Sequence, residues 1–193
     1  MSGPGSTVKY TENLRQELPR LFKKYEISSM LDAPCGDYNW MRLVERPNVR
    51  YIGADIVPEL VDDNNARYAD DNTHFILCDI LKDELPAVDL WMCRDVLFHF
   101  PYADIFQTLS NLLRSDIDYL LTTDHPEQQQ NTDGRIGSFR PMNMLLEPFC
   151  FPEPIVWIDD WIEGYWVRRM GLWDVKSLEA VLVENAEYQR AVM

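Results

Sequence analysis

Three aspartates in the first half of the chain follow apolar segments at nearly equal spacing. Asp32, Asp55 and Asp79 lie 23 and 24 residues apart, and each ends a short apolar run. This spacing is typical of one strand-helix-strand unit, so the three side chains are predicted to meet at one edge of a parallel sheet. Ligands of open α/β sheets bind in the crevice at that edge. The pattern therefore predicts a binding crevice lined by three carboxylates.

Carboxylates at these positions suit a nucleoside that carries positive charge. A carboxylate after the second strand, here Asp55, can accept hydrogen bonds from both ribose hydroxyls, and one after the third strand, here Asp79, can accept from an adenine amine. Gly36 has no Cβ, so backbone N–H groups after the first strand can approach a ligand closely. An acidic crevice repels a pyrophosphate but suits a sulfonium with an ammonium group.

The glycines argue against two common nucleotide sites. The eight glycines nowhere form G-x-G-x-x-G or G-x-x-x-x-G-K-[ST], the patterns of dinucleotide-binding loops and P-loops. A nicotinamide-dependent reductase is one alternative, since Asp55 also suits its ribose. The missing pyrophosphate-binding glycines argue against it.

The elements that position these residues alternate between apolar runs and helical patterns. Five near-continuous apolar runs predict parallel strands covered on both faces; they begin at Ser29, Arg50, His74, Val88 and Asp118. Segments 154–159 and 172–175 predict two closing strands joined as an antiparallel hairpin. Residues 8–26 predict an amphipathic helix in which Pro19 opens a second helical piece, and Ser177 is the predicted N-cap of a C-terminal helix.

The length of 193 residues predicts a single α/β domain over residues 1–193, with residues 1–27 as an N-terminal helical cap. Residues 124–151 form a polar, proline-bearing stretch that is too long for an ordinary connection. We predict that this stretch is an acceptor-binding loop or lid, closing with the help of Arg135 and Arg140.

The segment D-A-P-C-G-D-Y-N-W, residues 32–40, resembles the first motif of small bacterial-type class I S-adenosylmethionine-dependent methyltransferases. With the spacing of the later motifs, the resemblance covers about residues 8–176. It implies a Rossmann-like, seven-stranded, mostly parallel sheet with an antiparallel last strand and helices on both faces. It also implies S-adenosylmethionine as the methyl donor and a nucleophile held above the carboxyl edge of the sheet.

The resemblance implies that known site positions of the family correspond to particular residues of this sequence. In the family, the first motif holds the methionine part of the cofactor, and this motif corresponds to Asp32, Ala33, Pro34, Cys35 and Gly36. The ribose, adenine and sulfonium contacts correspond to Asp55 with Ile56, to Asp79 with Ile80, and to Cys93, Arg94 and Asp95. Two of the three usual glycine positions of the first motif hold Pro34 and Tyr38, which leaves the loop geometry open.

Further candidates follow from position alone. Trp40 is near enough to the cofactor loop to cover a ligand, and Trp161 or Trp166 in the hairpin would flank the acceptor. In the first helix, Tyr10 and Thr11 would fold over the cofactor, with Arg15 on its carboxylate. The candidate bases are His125, Asp124 and Asp95, needed only if the acceptor must lose a proton.

Each candidate also has a structural alternative. Asp32 and Asp79 would serve equally as caps of the turns that follow them, and Arg94 with Asp95 as a surface ion pair. The sequence makes His125 an ordinary loop residue as readily as a base. We interpret His99, in an apolar setting, as a half-buried residue that packs under the cofactor.

Composition excludes several classes of protein. With 18 Lys and Arg against 32 Asp and Glu, the net charge is −14, which argues against a nucleic-acid partner. No apolar run approaches the roughly 18 residues of a membrane span, and the N-terminus lacks a secretory signal, so a cytoplasmic protein is predicted. The four cysteines are far apart, which predicts reduced thiols and no metal site.

The sequence thus predicts an S-adenosylmethionine-dependent methyltransferase that acts on a nitrogen or oxygen of a small, cyclic molecule. The alternatives are a methyltransferase acting on a protein or on tRNA, or a non-catalytic methyltransferase-like partner subunit. The acceptor and the oligomeric state stay open.

Overall fold

A twisted seven-stranded sheet in the order β3-β2-β1-β4-β5-β7-β6 forms the centre of the computed structural model, which describes residues 3–192. The strands are β1 Ser29–Asp32, β2 Arg50–Asp55, β3 Thr73–Leu77, β4 Val88–Cys93, β5 Ile117–Asp124, β6 Val156–Asp159 and β7 Arg169–Asp174. Strand β7 is antiparallel to β5 and to β6, whereas the other pairs are parallel. The predicted Rossmann-like sheet with an antiparallel last strand is confirmed. The predicted domain and cap also include Met1, Ser2 and Met193, which lie outside the described residues.

Helices cover both faces of the sheet. They are α1 Glu12–Lys24, α2 Pro58–Tyr68, α3 Tyr102–Leu113, α4 Val175–Leu182 and α5 Ala186–Val192, with short 3-10 helices at Pro4–Ser6, Met41–Leu43 and Leu97–His99. One hydrophobic cluster joins the sheet to α3, α4 and α5, and a second joins it to α1 and α2. Neighbouring residues of β4 alternate between them, with Trp91 in the first cluster and Leu90 and Met92 in the second. This alternation is the period of two that a strand imposes.

Two helix predictions are wrong in detail. Pro19 lies inside a continuous α1, because losing one helical hydrogen bond is outweighed by an apolar face that buries Leu14, Leu18, Leu21 and Phe22. At the other end, Asp174 and not Ser177 is the N-cap of α4, since its carboxylate accepts from the Ser177 N–H at 3.0 Å. The C-terminal helix is also divided into α4 and α5.

The predicted helix between β1 and β2 is absent, although one lies between β2 and β3. Residues 33–49 contain only one short 3-10 helix, Met41–Leu43. Pro34 and Pro47 interrupt the helical pattern, and the side chains of Trp40, Met41 and Val44 enter the second hydrophobic cluster from loop backbone. The spacing of Asp32 and Asp55 therefore arises from a loop crossover.

Residues 124–151 contain no helix or strand after β5 ends at Asp124. The latter part of this segment packs into the first cluster, where Met144 and Phe149 are fully buried. Asn131 Nδ2 donates to the carbonyl oxygens of Asn143 and Glu147 at 2.8 and 2.9 Å. The longest exposed stretch of the segment is residues 132–139.

Within residues 3–192, no helix combines the length and the apolar character needed to cross a membrane.

Candidate active site

A cavity of about 430 Å³ opens at the carboxyl edge of β1, β2, β4 and β5, where the sequence predicted a crevice. Its wall comes from the N-terminal segment, the strand ends, the long loop and the β6–β7 connection. The lining residues are Gly3, Pro4, Gly5, Ser6, Tyr10, Asp32, Pro34, Cys35, Gly36, Trp40, Asp55, Arg94, Asp95, Phe98, His99, His125, Phe139, Tyr165, Trp166 and Arg168. Cavities of this size are typical of small-molecule sites.

The ends of β1 and β2 are joined by hydrogen bonds from backbone N–H groups to the Asp55 carboxylate. Gly36 has a φ of 56°, a left-handed conformation that glycine adopts without strain, and its N–H donates to Asp55 Oδ2 at 3.1 Å. Asp55 Oδ1 accepts from the Val57 N–H at 3.1 Å. Each carboxylate oxygen of Asp55 keeps a second lone pair, so the side chain can still accept hydrogen bonds from a ligand in the cavity.

Asp32 is a nearly fully buried carboxyl in the cavity wall. Its Oδ2 accepts from the Tyr51 hydroxyl at 2.7 Å. Burial disfavours the charged form and raises the pKa of Asp32 to about 7. The charge of this side chain therefore changes near neutral pH, where a bound cation would favour the ionised form.

The two positions that depart from the glycine pattern are accommodated differently. Pro34 lines the cavity. Tyr38 adopts a φ of 54°, so it follows the left-handed backbone that a glycine would take, at a cost of about 1–2 kcal/mol. Its ring packs against Tyr51 and Phe75 with centroids 5.0 and 5.1 Å apart, which offsets that strain.

Several predicted cofactor residues do not line the cavity. Ala33, Ile80 and Cys93 are buried in the first hydrophobic cluster, and the Ile56 side chain is 63% exposed outside the cavity. Arg15 Nη2 donates to the Val8 carbonyl at 3.0 Å. The adenine, sulfonium and carboxylate contacts expected of these residues stay predictions.

Asp79 is engaged in its own turn. Its Oδ1 accepts from the Leu81 N–H at 3.0 Å, and its Oδ2 pairs with Lys82 Nζ at 3.0 Å. The structure thus places this carboxylate in the capping role and outside the cavity lining.

A buried ion-pair network lies beneath the cavity. The guanidinium of Arg94 forms a bidentate pair with Asp160, with Nε and Nη2 at 2.9 and 3.0 Å from the two carboxylate oxygens. Arg168 contacts the same carboxylate through Nε at 3.2 Å and donates to Asp95 through Nη1. Two arginines and two aspartates are therefore balanced in one cluster.

The three candidate bases are placed differently. Asp124 is fully buried outside the cavity lining, where its carboxylate accepts from Met144 N–H at 2.7 Å and from Arg169 Nε at 3.0 Å; burial raises its pKa. Asp95 lines the cavity but is neutralised by Arg168 and Arg94. Asp124 thus holds the long loop to β7, and Asp95 belongs to the ion-pair network.

His125 lines the cavity beside Phe98. Its Nδ1 lies 3.2 Å from the Met142 nitrogen and 3.3 Å from the Met142 carbonyl oxygen, so this ring nitrogen is engaged by the Met142 backbone in either neutral tautomer. Burial lowers the pKa of His125 to about 4. The side chain is therefore neutral at pH 7.

The sequence analysis missed part of the aromatic and basic lining. Phe98, Phe139, Tyr165 and Arg168 were not predicted to line the site; of the other candidates, Trp40, Tyr10 and Trp166 line the cavity, and Trp161 and Thr11 do not. The only signal in the sequence is the occurrence of aromatic residues within polar segments. Single exposed aromatic residues are common on protein surfaces, and only their grouping into one patch, which the structure shows, indicates binding.

His99 also lines the cavity. Its Nδ1 is buried and has no hydrogen-bond partner within residues 3–192, a situation that costs about 1–3 kcal/mol for a polar atom. The expected packing role accounts for its ring but leaves this atom unexplained.

Comparisons with known proteins agree with this geometry. Residues 31–116 match the family described as "Methyltransferase domain". No curated protein sequence matches the chain significantly.

Solved structures share the fold at low sequence identity. PigF with SAH superposes with a TM-score of 0.62 at 12% identity, over 86% of this chain and 56% of that one. The N-methyltransferase NodS from Bradyrhizobium japonicum gives a TM-score of 0.62 at 11% identity, over 86% and 96% of the two chains. Magnesium protoporphyrin IX methyltransferase from Synechocystis gives 0.61 at 12% identity, over 85% and 83%. This chain thus spans a little over half of PigF but nearly all of NodS.

The match to a methyltransferase domain thus covers residues 31–116, and the solved structures show the shared fold.

Proposed function

We propose that the protein transfers the sulfonium methyl group of S-adenosylmethionine to a nitrogen or oxygen atom of a small, cyclic acceptor. The observation that carries this proposal is a single cavity with two kinds of wall. Carboxylates and close backbone lie at the ends of β1 and β2, and aromatic side chains lie beyond β4 and β5. Donor and acceptor must meet in one water-poor space for direct transfer, and this cavity provides it.

The residues at the ends of β1 and β2 fit the methyl donor. Asp55 presents a carboxylate suited to a ribose diol, and Gly36 allows close approach of the backbone. Asp32 offers a carboxyl that becomes an anion next to a bound ammonium or sulfonium. The bound donor supplies an electrophilic methyl group, and Trp40 helps to exclude water from the same space.

The residues of this chain contribute mainly by positioning the donor and the acceptor, and less by acid–base catalysis. The aromatic wall orients a ring, the ion-pair network fixes the end of β4, and neutral His125 can form a hydrogen bond through Nε2. Positioning of this kind accounts for a large share of the rate in displacement reactions. A base is required only where the acceptor atom carries a proton that it must lose.

Small molecules suit this site better than macromolecules do. The cavity of about 430 Å³ has the volume of a small-ligand pocket, and the net charge of −14 opposes tRNA binding. Retention of the protein on a tRNA column at moderate salt would reverse that preference.

Titration calorimetry with S-adenosylmethionine and its demethylated product tests the donor assignment. We expect both to bind the wild-type protein, and Asp55→Ala to raise the dissociation constant about 10- to 100-fold, because charge-assisted hydrogen bonds are lost. Asp62→Ala, at an exposed position of α2, is the matched control and should bind normally. Absence of binding by the wild type, or unchanged binding by Asp55→Ala, would contradict the proposal.

A further inference from the structure

Aromatic side chains from four separate segments converge at one end of the cavity. Phe139, on the exposed part of the long loop, has its ring centroid 5.3 Å from Phe98, 6.0 Å from His125 and 6.1 Å from Trp166. Phe139 and Trp166 are 47% and 58% exposed, although both line the cavity. Large apolar rings kept in contact with solvent indicate a binding surface, and their flat faces suit a planar ring.

His99 is the polar group within this aromatic wall. Its ring lies 4.6 Å from that of Phe98 and 6.2 Å from that of Phe139. The backbone holds it in place, since its N–H donates to Val96 O and its carbonyl accepts from Gly137 N–H, both at 2.8 Å. Yet Nδ1 is without a hydrogen-bond partner in the described part of the chain. Because Nδ1 is enclosed by the protein, a ligand hydroxyl group in the cavity would bond to the other ring nitrogen, Nε2.

The other candidate bases are already engaged. Asp124 is paired with Arg169 away from the cavity, and Asp95 is paired with two arginines. His125 has its Nδ1 occupied by Met142. Among the histidines of the cavity wall, His99 alone keeps its ring nitrogens out of hydrogen bonds within residues 3–192.

We propose that the acceptor is a planar aromatic molecule bearing a hydroxyl group, and that His99 takes the proton of that hydroxyl. The inference rests on the methyl transfer proposed above. The acceptor oxygen forms a bond to the methyl carbon as the carbon–sulfur bond breaks and its electron pair stays on sulfur. The hydroxyl proton passes to the neutral imidazole of His99, so the products are the methyl ether, the neutral thioether and an imidazolium.

Charged groups around His99 bear on its protonation. Asp95 and Arg168 line the same cavity and are paired with each other, and His125 faces Phe98 from the end of β5. Behind the wall, Arg140 donates to the carbonyl oxygens of Phe98 and Phe100. The pH profile of His99 variants must therefore be compared with that of the wild type over the same range.

The test compares two phenols that differ in acidity, 4-methylphenol and 4-nitrophenol, with cyclohexanol as the non-aromatic alcohol. At pH 8, 4-nitrophenol is largely ionised and needs no base, whereas 4-methylphenol does. We expect the wild type to methylate both phenols and not cyclohexanol. His99→Asn should lower turnover of 4-methylphenol about 100-fold and that of 4-nitrophenol less than about 10-fold.

His74→Asn, on the exposed side of edge strand β3, is the matched control and should retain both rates. Equal losses for the two phenols in His99→Asn would mean a packing role and would overturn the base assignment. His99→Gln and Phe139→Leu are assayed in parallel, the latter for loss of phenol binding, in case His99→Asn fails to fold. If S-adenosylmethionine binds normally but neither phenol is bound or methylated, the acceptor inference is wrong while the proposed function stands. If S-adenosylmethionine does not bind, the proposed function itself has failed.

Discussion

The cavity has two halves that are built in different ways. The cofactor half consists of Asp32, Pro34, Cys35, Gly36, Trp40 and Asp55. These residues come from one stretch of chain, and backbone N–H groups donate to Asp55. The acceptor half consists of Asp95, Phe98, His99, His125, Phe139, Tyr165, Trp166 and Arg168. Its key contacts join residues distant in sequence, such as Arg94 with Asp160 and Arg168 with Asp95, 66 and 73 positions apart.

This difference has an energetic consequence. The N–H donors of the cofactor half survive most side-chain changes, because every residue but proline carries an N–H, and the one side chain that accepts from them is Asp55. The acceptor half depends on a balance of buried charges, where removal of one partner leaves another unpaired. We therefore expect the acceptor half to tolerate single substitutions less well.

The largest expected effect is at the centre of the ion-pair network. Asp160→Asn leaves Arg94 and Arg168 with too little negative charge and should lower the free energy of unfolding by about 3–5 kcal/mol. Urea unfolding measures this loss. The exposed neighbour Asp159→Asn should stay within about 0.5 kcal/mol of the wild type; equal effects of the two substitutions would contradict the contrast between the halves.

In the cofactor half, Asp32 should make the stability of the folded protein depend on pH. Its pKa is about 7 in the folded protein, raised by burial from 3.8, so between these values the folded state holds a proton that the unfolded state has released. Stability contributed by this group therefore falls as the pH rises from about 4 to about 7.

Asp32→Asn removes that dependence. Relative to the wild type, the variant should gain about 2–3 kcal/mol between pH 5 and pH 8, at about 1.4 kcal/mol for each unit up to the folded pKa. Unfolding by urea at several pH values, without cofactor, measures the gain. A difference between the two proteins that does not change with pH would show that Asp32 is ionised throughout.

A smaller effect is expected at the base of the long loop. Arg140 donates to the carbonyl oxygens of Thr132 and Phe98, at 2.8 and 3.2 Å, and so fixes the exposed segment that carries Phe139. Arg140→Ala should cost about 1.5–3 kcal/mol and speed chymotrypsin cleavage after Phe139. Exposed Arg135→Ala is the control; similar cleavage of both variants would mean that Arg140 does not anchor the loop.

The smallest effect should follow Asp79→Ala. This carboxylate is occupied by Leu81 and by the exposed Lys82, so its loss should cost less than about 1 kcal/mol of stability. The affinity for S-adenosylmethionine should change less than about twofold in calorimetry. A tenfold loss of affinity would instead support the adenine contact expected from the sequence.

Much of the cofactor half could be predicted from the sequence because its signal is local. Strand ends, the turn glycine and the spacing of Asp32 and Asp55 all lie within one short segment, and the backbone geometry follows from residue type. The prediction of a helix between β1 and β2 is wrong because a loop connects the two strands over a similar number of residues. Asp79 shows the limit of the argument, since spacing alone does not distinguish a ligand contact from a turn cap.

The sequence by itself determined the order of the strands along the chain, the apolar faces and the edge of the sheet at which the cavity opens, since these depend on periodicity and on residues close in the chain. Only the tertiary structure decided which charges are paired and which rings share a wall. Arg168 with Asp95, and Phe139 with His99 and Trp166, are brought together by chain folding over long separations. No local pattern records such contacts, because their energy arises only when distant segments pack.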